Sequence, residues 1–598
     1  MERTFIIHWR TLLLSLIYLG CFDVVLGRLY YLHVVQGDEL ANVARENREK
    51  FVVEKARRGN IVDSAGNLLA TTHVVVELGL DPQVATAQDA EKWPELARLA
   101  GIKVSKIEAA VRQKTFENNN SDEFADKVRL VRWRKLAEGL DERTYERINE
   151  LDIAGVYGNL KYERYYPSGP LAAHIIGFTN REGTPVMGVE DTMDFYLRGQ
   201  DGWREIERDG AKRELASFEK RSVDPTTGMN IELTIDQVIQ LFVEDELKRI
   251  VEDHAPLSAS IIVSEPSTGD ILALGNYPNF DLNDYNKAPI SYHRNRAVTD
   301  VFEPGSTFKI VCASGALDEG LVDRDTLFNT SQQVVNYKGR MIKLPHDHKN
   351  YAELTFKDII AKSSNKGAAQ LGMLLGEERL LDYCKAFGFG EKTGFELGGE
   401  VQGVLHEVNR WDGLTISRLP MGHAVSATAM QVHMAMSVLA NRGILMKPRV
   451  ISRVFDETGE TLTYYQPRAE RRVVSDKTAL EMSELLVRTV SPGGTAPRAE
   501  IPNYQVAGKT GTTQKLIEGQ YSSSHHVASF SGFFPSNKPR LVITVIVDDP
   551  ARPKPGYGGV VAAPAFRNIA LRAIQYLELD PVSPEELDPR PRFYAHSF

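Results

Sequence analysis

Glu303-Pro304-Gly305-Ser306-Thr307-Phe308-Lys309 is the stretch on which the reading of this chain turns. Proline and glycine close a loop, and the residues after them read as a helix entered at Ser306. On that helix Ser306 and Lys309 share one face and stand close enough to touch. The pairing has a chemical point. A serine hydroxyl is a weak nucleophile until a base takes its proton, and a lysine can be that base only where burial or a neighbouring cation favours the neutral amine. The helix start adds backbone N–H groups that can hold negative charge. Alone, S-x-x-K is a frequent coincidence, and a solvated Ser and Lys would be its ordinary meaning.

Two later segments, in order, change that weight. Ser363-Ser364-Asn365 follows the apolar, helix-like run Leu354 to Ala361. It gives an S-x-N turn whose hydroxyl can relay a proton and whose amide can hold a substrate backbone. Lys509-Thr510-Gly511-Thr512-Thr513 follows the strand-like run Tyr504 to Ala507, and so reads as lying along a sheet edge. Gly511 reads as room for a substrate backbone. Lys509 with the Thr510 and Thr512 hydroxyls makes a cationic, donor-rich patch for a carboxylate. The N–H groups of Ser306 and Thr512 are suited to an oxyanion hole. A second K-T-G, Lys392-Thr393-Gly394, lies in a glycine-rich loop with no strand before it and reads as a turn.

Working outward, Thr234-Ile235-Asp236 opens a long amphipathic helix to about Val251, and Ser258 to Val263 with Ile271 to Leu274 makes a hairpin. Helical patterns dominate from Thr307 to about Leu439. Strand-like runs return at Tyr504 to Lys509, Val527 to Phe533 and Leu541 to Val547, and Ala563 to Leu577 reads as a closing helix. Strands at both ends with helices between predict an α/β domain whose single central antiparallel sheet lies between helical layers. Upstream, Gln36 to about Ser222 is charge-rich. Its strand-like runs at Phe51 to Lys55 and Val74 to Leu80, and its helical periodicity near Ala90 to Leu99 and Glu142 to Leu151, predict an α+β module. The turn residues between Val223 and Gly228 mark the boundary.

Thr11 to Leu26 reads TLLLSLIYLGCFDVVL; continued through Leu32 it reaches roughly the 20 residues that cross a bilayer. Arg3 and Arg10 ahead of it place Met1 inside and the bulk of the chain outside. No A-x-A-like cleavage site follows the run, and Tyr18 before Gly20-Cys21 argues against a lipoprotein signal, so an uncleaved single-span transmembrane helix is the reading. The predicted organisation is a cytoplasmic tip 1–10, an anchor 11–32, an α+β pedestal 33–228, the catalytic domain 229–578 and a Pro-rich, acidic tail 579–598.

A net charge of -9 and a pI of 5.9 supply no basic field for nucleic acid. The 3 cysteines lack metal-like spacing, and no essential disulfide is expected. His346-Asp347-His348 and His525-His526 read as polar loop residues, and no metal or other cofactor is expected.

The three motifs and most of the chain resemble the class B high-molecular-weight penicillin-binding proteins. Arg58-Gly59-Asn60-Ile61-Val62-Asp63 with Gly66 and Leu69-Ala70 is similar to that family's pedestal signature, with Ser64 in place of its usual arginine. Arg164-Tyr165-Tyr166-Pro167, Gly188-Val189-Glu190, Gly422-His423, Gly493-Gly494-Thr495-Ala496 and Ser529-Phe530-Ser531-Gly532-Phe533 are further matches. Glu190-Asp191-Thr192-Met193 resembles the opening of class A glycosyltransferase domains, but Asp194 stands where their phenylalanine would, so no glycosyltransferase activity is expected.

The resemblance implies a serine β-lactamase-like transpeptidase fold and D,D-transpeptidation of peptidoglycan stem peptides. Ser306 would be the nucleophile, Lys309 the base, Ser363 and Asn365 the relay and positioning groups. Lys509, Thr510, Gly511 and Thr512 would hold carboxylate and oxyanion, and β-lactam antibiotics would acylate Ser306. The short tip and Glu303-Pro304-Gly305-Ser306 look most like the FtsI-type septal enzymes, with the elongation type as rival. The implied partners are an FtsW-type glycosyltransferase, other division proteins and the cytoplasmic membrane, with the bulk of the chain periplasmic. A β-lactam sensor or hydrolase and a non-catalytic division scaffold are the readings from other classes.

Overall fold

The apolar N-terminal run is helical from Glu2 to Tyr30, and the span Trp9–Val35 is long and apolar enough to cross a membrane. Its side chains from Trp9 on are exposed, which suits a lipid-facing helix rather than a core one. The computed structural model describes residues 2–40, 42, 49–117, 128–207, 221–553 and 556–581. Of the expected tail, residues 582–598 lie outside that set.

The chain divides into two units. One comprises Met1–Arg57 and Arg198–Gly228. Its strands Glu49–Glu54, Gly202–Glu207 and Ser222–Val223 form an antiparallel sheet.

The other unit comprises Arg58–Leu197 and Met229–Phe598. In it the strands Ile61–Val62 and Leu68–Leu80 join Asn230–Leu233 and Ile451–Phe455 in one sheet. Leu69, Ile175 and Val189 share a buried apolar cluster with Ile231 and Ile451. The signature residues of this segment converge on one buried carboxylate. Glu190 accepts from Arg58 Nε at 2.7 Å and from Arg164 Nε at 2.6 Å, and Tyr166 OH donates to it at 3.4 Å. Two guanidiniums around one carboxylate supply the pairing that a buried charge requires. That arrangement gives Glu190 a structural occupation.

After the strand Asn230–Leu233 comes α1 (Gln237–His254), capped by Asp236, whose side chain accepts from Val238 N and Ile239 N. Five strands follow the predicted pattern: β1 (Ser258–Ser264), β2 (Ile271–Tyr277), β3 (Ala507–Ile517), β4 (Gln520–Phe534) and β5 (Leu541–Asp548). They pair antiparallel in the order β2-β1-β5-β4-β3, which leaves β3 at an edge. The remaining helices used below are α2 (Lys309–Asp318), α3 (Phe356–Lys362), α4 (Asn365–Leu375), α5 (Ala429–Ala440) and α6 (Ala563–Tyr576).

Alternation along the strands feeds two cores. Ile261, Val263, Ile543 and Val545 pack with Ile239 and Val243 of α1 and Phe566 and Ile569 of α6. Ile262, Val542 and Ile546 pack with α2 and α5 on the other face. β3 differs in extent from the run read in the sequence: Tyr504 bridges to Ile501, the strand starts at Ala507 and it continues to Ile517. The Lys509–Thr513 motif therefore lies inside the strand.

Candidate active site

Ser306 stands in a 3₁₀ turn, Gly305–Phe308, that runs into α2 at Lys309. Three residues per turn stack positions i and i+3 more directly than an α-helix does, which favours Ser306 and Lys309 on one side of the chain. Gly305 has φ +56, and a Cβ there would sit 2.3 Å from Thr513 Oγ1. Gly422 presses on the same turn: its added Cβ would lie 2.1 Å from Gly305 O, and Gly305 N donates to Gly422 O at 3.1 Å. Two glycines thus let three chain segments meet at the residue before Ser306.

Lys309 is buried, and its amine donates to Ser363 O at 2.5 Å, Asn365 Oδ1 at 2.7 Å and Ser363 Oγ at 3.2 Å. Burial depresses its pKa from 10.5 to about 7, with Asp347 pulling in the opposite direction. The amine is therefore substantially neutral at neutral pH, the state a base needs. Lys509, also fully buried, donates to Ser363 Oγ at 2.8 Å. Burial and then the Lys309 charge hold its pKa well below the usual lysine value. One hydroxyl is shared by two amines, which is the geometry of a proton relay. Ser363 achieves it in the left-handed region, at φ 57, as the residue that ends α3. Such a backbone costs about 1 kcal/mol for a non-glycine residue and is tolerated where the surroundings over-determine it.

Along β3 the alternation divides the motif. Lys509 turns to Ser363, while Thr510 Oγ1 donates to Thr495 Oγ1 at 2.9 Å and Thr512 Oγ1 accepts from Gly558 N at 3.0 Å. Gly511 has a different reason from the one read in the sequence. A Cβ there would meet Ser529 Oγ at 2.3 Å and Pro304 O at 3.0 Å. The glycine lets the strand close on the loop that carries Ser306.

Asp347, set aside with its histidine neighbours in the sequence, holds the S-x-N turn. It accepts from Ser364 Oγ at 2.7 Å, Asn365 N at 2.5 Å and Lys366 N at 3.1 Å. His346 O takes Asn365 Nδ2 at 2.9 Å, which fixes the amide with its oxygen toward Lys309. No spacing signalled this; only a carboxylate shortly before an unsatisfied helix start could have hinted at it. His525 pairs with Asp549 at 2.7 Å. In the second K-T-G, Glu400 accepts from Thr393 N at 2.7 Å and Gly394 N at 3.0 Å, a loop closed on itself. Among the described residues no group of three His, Cys, Asp or Glu side chains is placed to hold a metal ion.

The family described as "Penicillin binding protein transpeptidase domain" matches residues 259–571, and "Penicillin-binding Protein dimerisation domain" matches residues 53–233. Peptidoglycan D,D-transpeptidase FtsI of Escherichia coli K12 is 30% identical, over 97% of this chain and 94% of its own. Stage V sporulation protein D of Bacillus subtilis is 30% identical, over 94% of this chain and 84% of its own. The crystal structure of penicillin binding protein 3 from Mycobacterium tuberculosis complexed with aztreonam superposes with a TM-score of 0.68 at 27% identity, covering 90% of this chain and 99% of that one.

Proposed function

The chain belongs to the class B penicillin-binding proteins, and on that premise we propose how its residues carry out the D,D-transpeptidation of peptidoglycan. The activity itself follows from family membership. Ser306 Oγ attacks the penultimate D-alanine carbonyl of a stem peptide, and the neutral Lys309 amine takes its proton. The N–H groups of Ser306 and Thr512 hold the oxyanion. The relay through Ser363 delivers a proton to the departing D-alanine, Asn365 orients the donor backbone, and Lys509, Thr510 and Thr512 receive its carboxylate. Gly511 keeps strand and nucleophile in register. The acyl group then passes from Ser306 to an amine of a second stem, and a β-lactam acylates the same oxygen without a competent second step. The observation that carries this reading is the buried Lys309 amine, its pKa near neutrality, joined through Ser363 to Lys509.

The setting we propose is septal. It is supported by similarity to FtsI over nearly the whole chain. The helix Trp9–Val35 would be the single-pass anchor, with the tip 1–10 cytoplasmic and the pedestal 33–228 and transpeptidase domain 229–578 periplasmic. An FtsW-type glycosyltransferase and other division proteins would be its partners. Incubation with a fluorescent penicillin followed by mass spectrometry of the labelled peptide tests the site. Label is expected on Ser306 and lost in Ser306→Ala; label elsewhere refutes the assignment. Depletion in cells is expected to give filaments, and swollen round cells would instead indicate the elongation role.

A further inference from the structure

Transpeptidation needs a second substrate, and the groove between β3 and the Ser363 turn is assigned to the first. Beyond Ser306, β3 runs on through Thr513 to Leu516 and walls a cavity of about 680 Å³. Its opposite wall is the segment Asp300–Glu303, which leads into the nucleophile turn, backed by Val404 and Val425. Val301, Phe302, Val404, Val425, Leu516 and Ile546 make the lining largely apolar, which is the make-up of a ligand site with a few fixed polar points.

Two of those polar points have chemistry left to give. Glu303, three residues before Ser306, is a half-buried carboxylate held in place from three sides. It accepts from Ala424 N at 3.1 Å and from Tyr521 OH at 3.1 Å, and His423 Nδ1 lies 2.9 Å away. A carboxylate has about four acceptor sites, so a further donor fits. Arg296 also lines the cavity and gives Nη1 to Asp300 at 2.8 Å, and a guanidinium has further N–H donors beyond that one. A carboxylate and a guanidinium on the walls of one apolar cavity match a ligand that carries both an ammonium and a carboxylate on an aliphatic chain.

We propose that this cavity is the acceptor subsite, taking the zwitterionic end of a diamino acid with its ammonium at Glu303 and its carboxylate at Arg296; this rests on the reading of Ser306 as the acylated residue. The donor and the acceptor then lie end to end along β3 with the acyl-serine between them. The bound ammonium gives one proton through Glu303 to solvent. The neutral amine attacks the ester, the N–C bond forms, the C–Oγ bond breaks, and a second nitrogen proton passes to Ser306 Oγ.

The test uses the full chain in detergent with a thioester acyl-D-alanine donor and D-lysine or n-hexylamine as acceptor. The ratio of amide product to hydrolysed product is read by mass spectrometry after the acyl-enzyme has formed. Glu303→Gln should lower that ratio tenfold or more with both amines. Arg296→Met should lower it only with D-lysine, a selectivity that loss of structure would not produce. Glu303→Asp should recover part of the effect. Saturation-transfer NMR of D-lysine on the unacylated protein should show binding that Glu303→Gln and the cavity-filling Val425→Trp both abolish. Unchanged ratios in Glu303→Gln, or D-lysine binding that survives it, would overturn the subsite. Absence of any acyl-enzyme in the parent protein would instead overturn the role of Ser306, and the NMR arm would still decide the subsite.

Discussion

Replacing Asp347 by Asn probes the part of the site that lies outside the three motifs. The carboxylate accepts three hydrogen bonds, from Ser364 Oγ, Asn365 N and Lys366 N. An asparagine oxygen can still face the two backbone N–H groups, but the charge is gone and the Ser364 hydroxyl must reverse its role. Hydrogen bonds to a charged group contribute about 1.5–3 kcal/mol and neutral ones about 1 kcal/mol. The change therefore removes about 2 kcal/mol of hold on the turn that presents Asn365 Oδ1 to Lys309. If that hold is needed in the transition state, acylation slows by about 30-fold. A second effect has a definite sign. Asp347 raises the pKa of Lys309 against burial, so its neutralisation lowers that pKa further and moves the acid limb of the pH–rate profile to lower pH. Stopped-flow acylation by a fluorescent penicillin between pH 5 and 9 measures both. A rate within threefold of the parent, or an acid limb displaced to higher pH, would refute the reasoning.

In the parent protein the acylation rate should rise with pH through a midpoint near 7, since the base is the amine whose pKa burial lowers to about 7. Stability carries the mirror image of this. The folded pKa lies below the unfolded value of 10.5, so folding expels a proton, and the resulting penalty is complete below about pH 7 and fades as pH rises toward 10.5. Lys309→Met should accordingly raise the urea midpoint at pH 7, by about 1–3 kcal/mol in stability, while abolishing penicillin labelling. Gly511→Ala places a Cβ 2.3 Å from Ser529 Oγ and 3.0 Å from Pro304 O, and acylation should fall at least about tenfold as the nucleophile turn is displaced. Glu190→Gln leaves Arg58 and Arg164 around a neutral amide, which should cost about 3–5 kcal/mol by chemical denaturation.

What could be read in the chain alone was what repeats over a few residues. The apolar run before Leu32, the β-branched runs of β1 and β5, the Asp236 cap of α1 and the spacing of Ser306 and Lys309 all express local geometry, because strand and helix periods and caps are set by neighbours within four positions. The order of the three motifs likewise pointed to the chemistry. Tertiary structure decided what depends on where distant segments stop. It brought Lys309, Ser363, Asn365 and Lys509 onto one another, and it made Ser363 the shared partner of two amines. It also turned Asp347 from a loop residue into the clamp on Asn365 and gave Gly511 a packing role against Pro304. It left a cavity beside Glu303. Those outcomes come from close approach between segments tens to hundreds of residues apart, and a sequence records the side chains that meet there without recording the loop paths that make them meet.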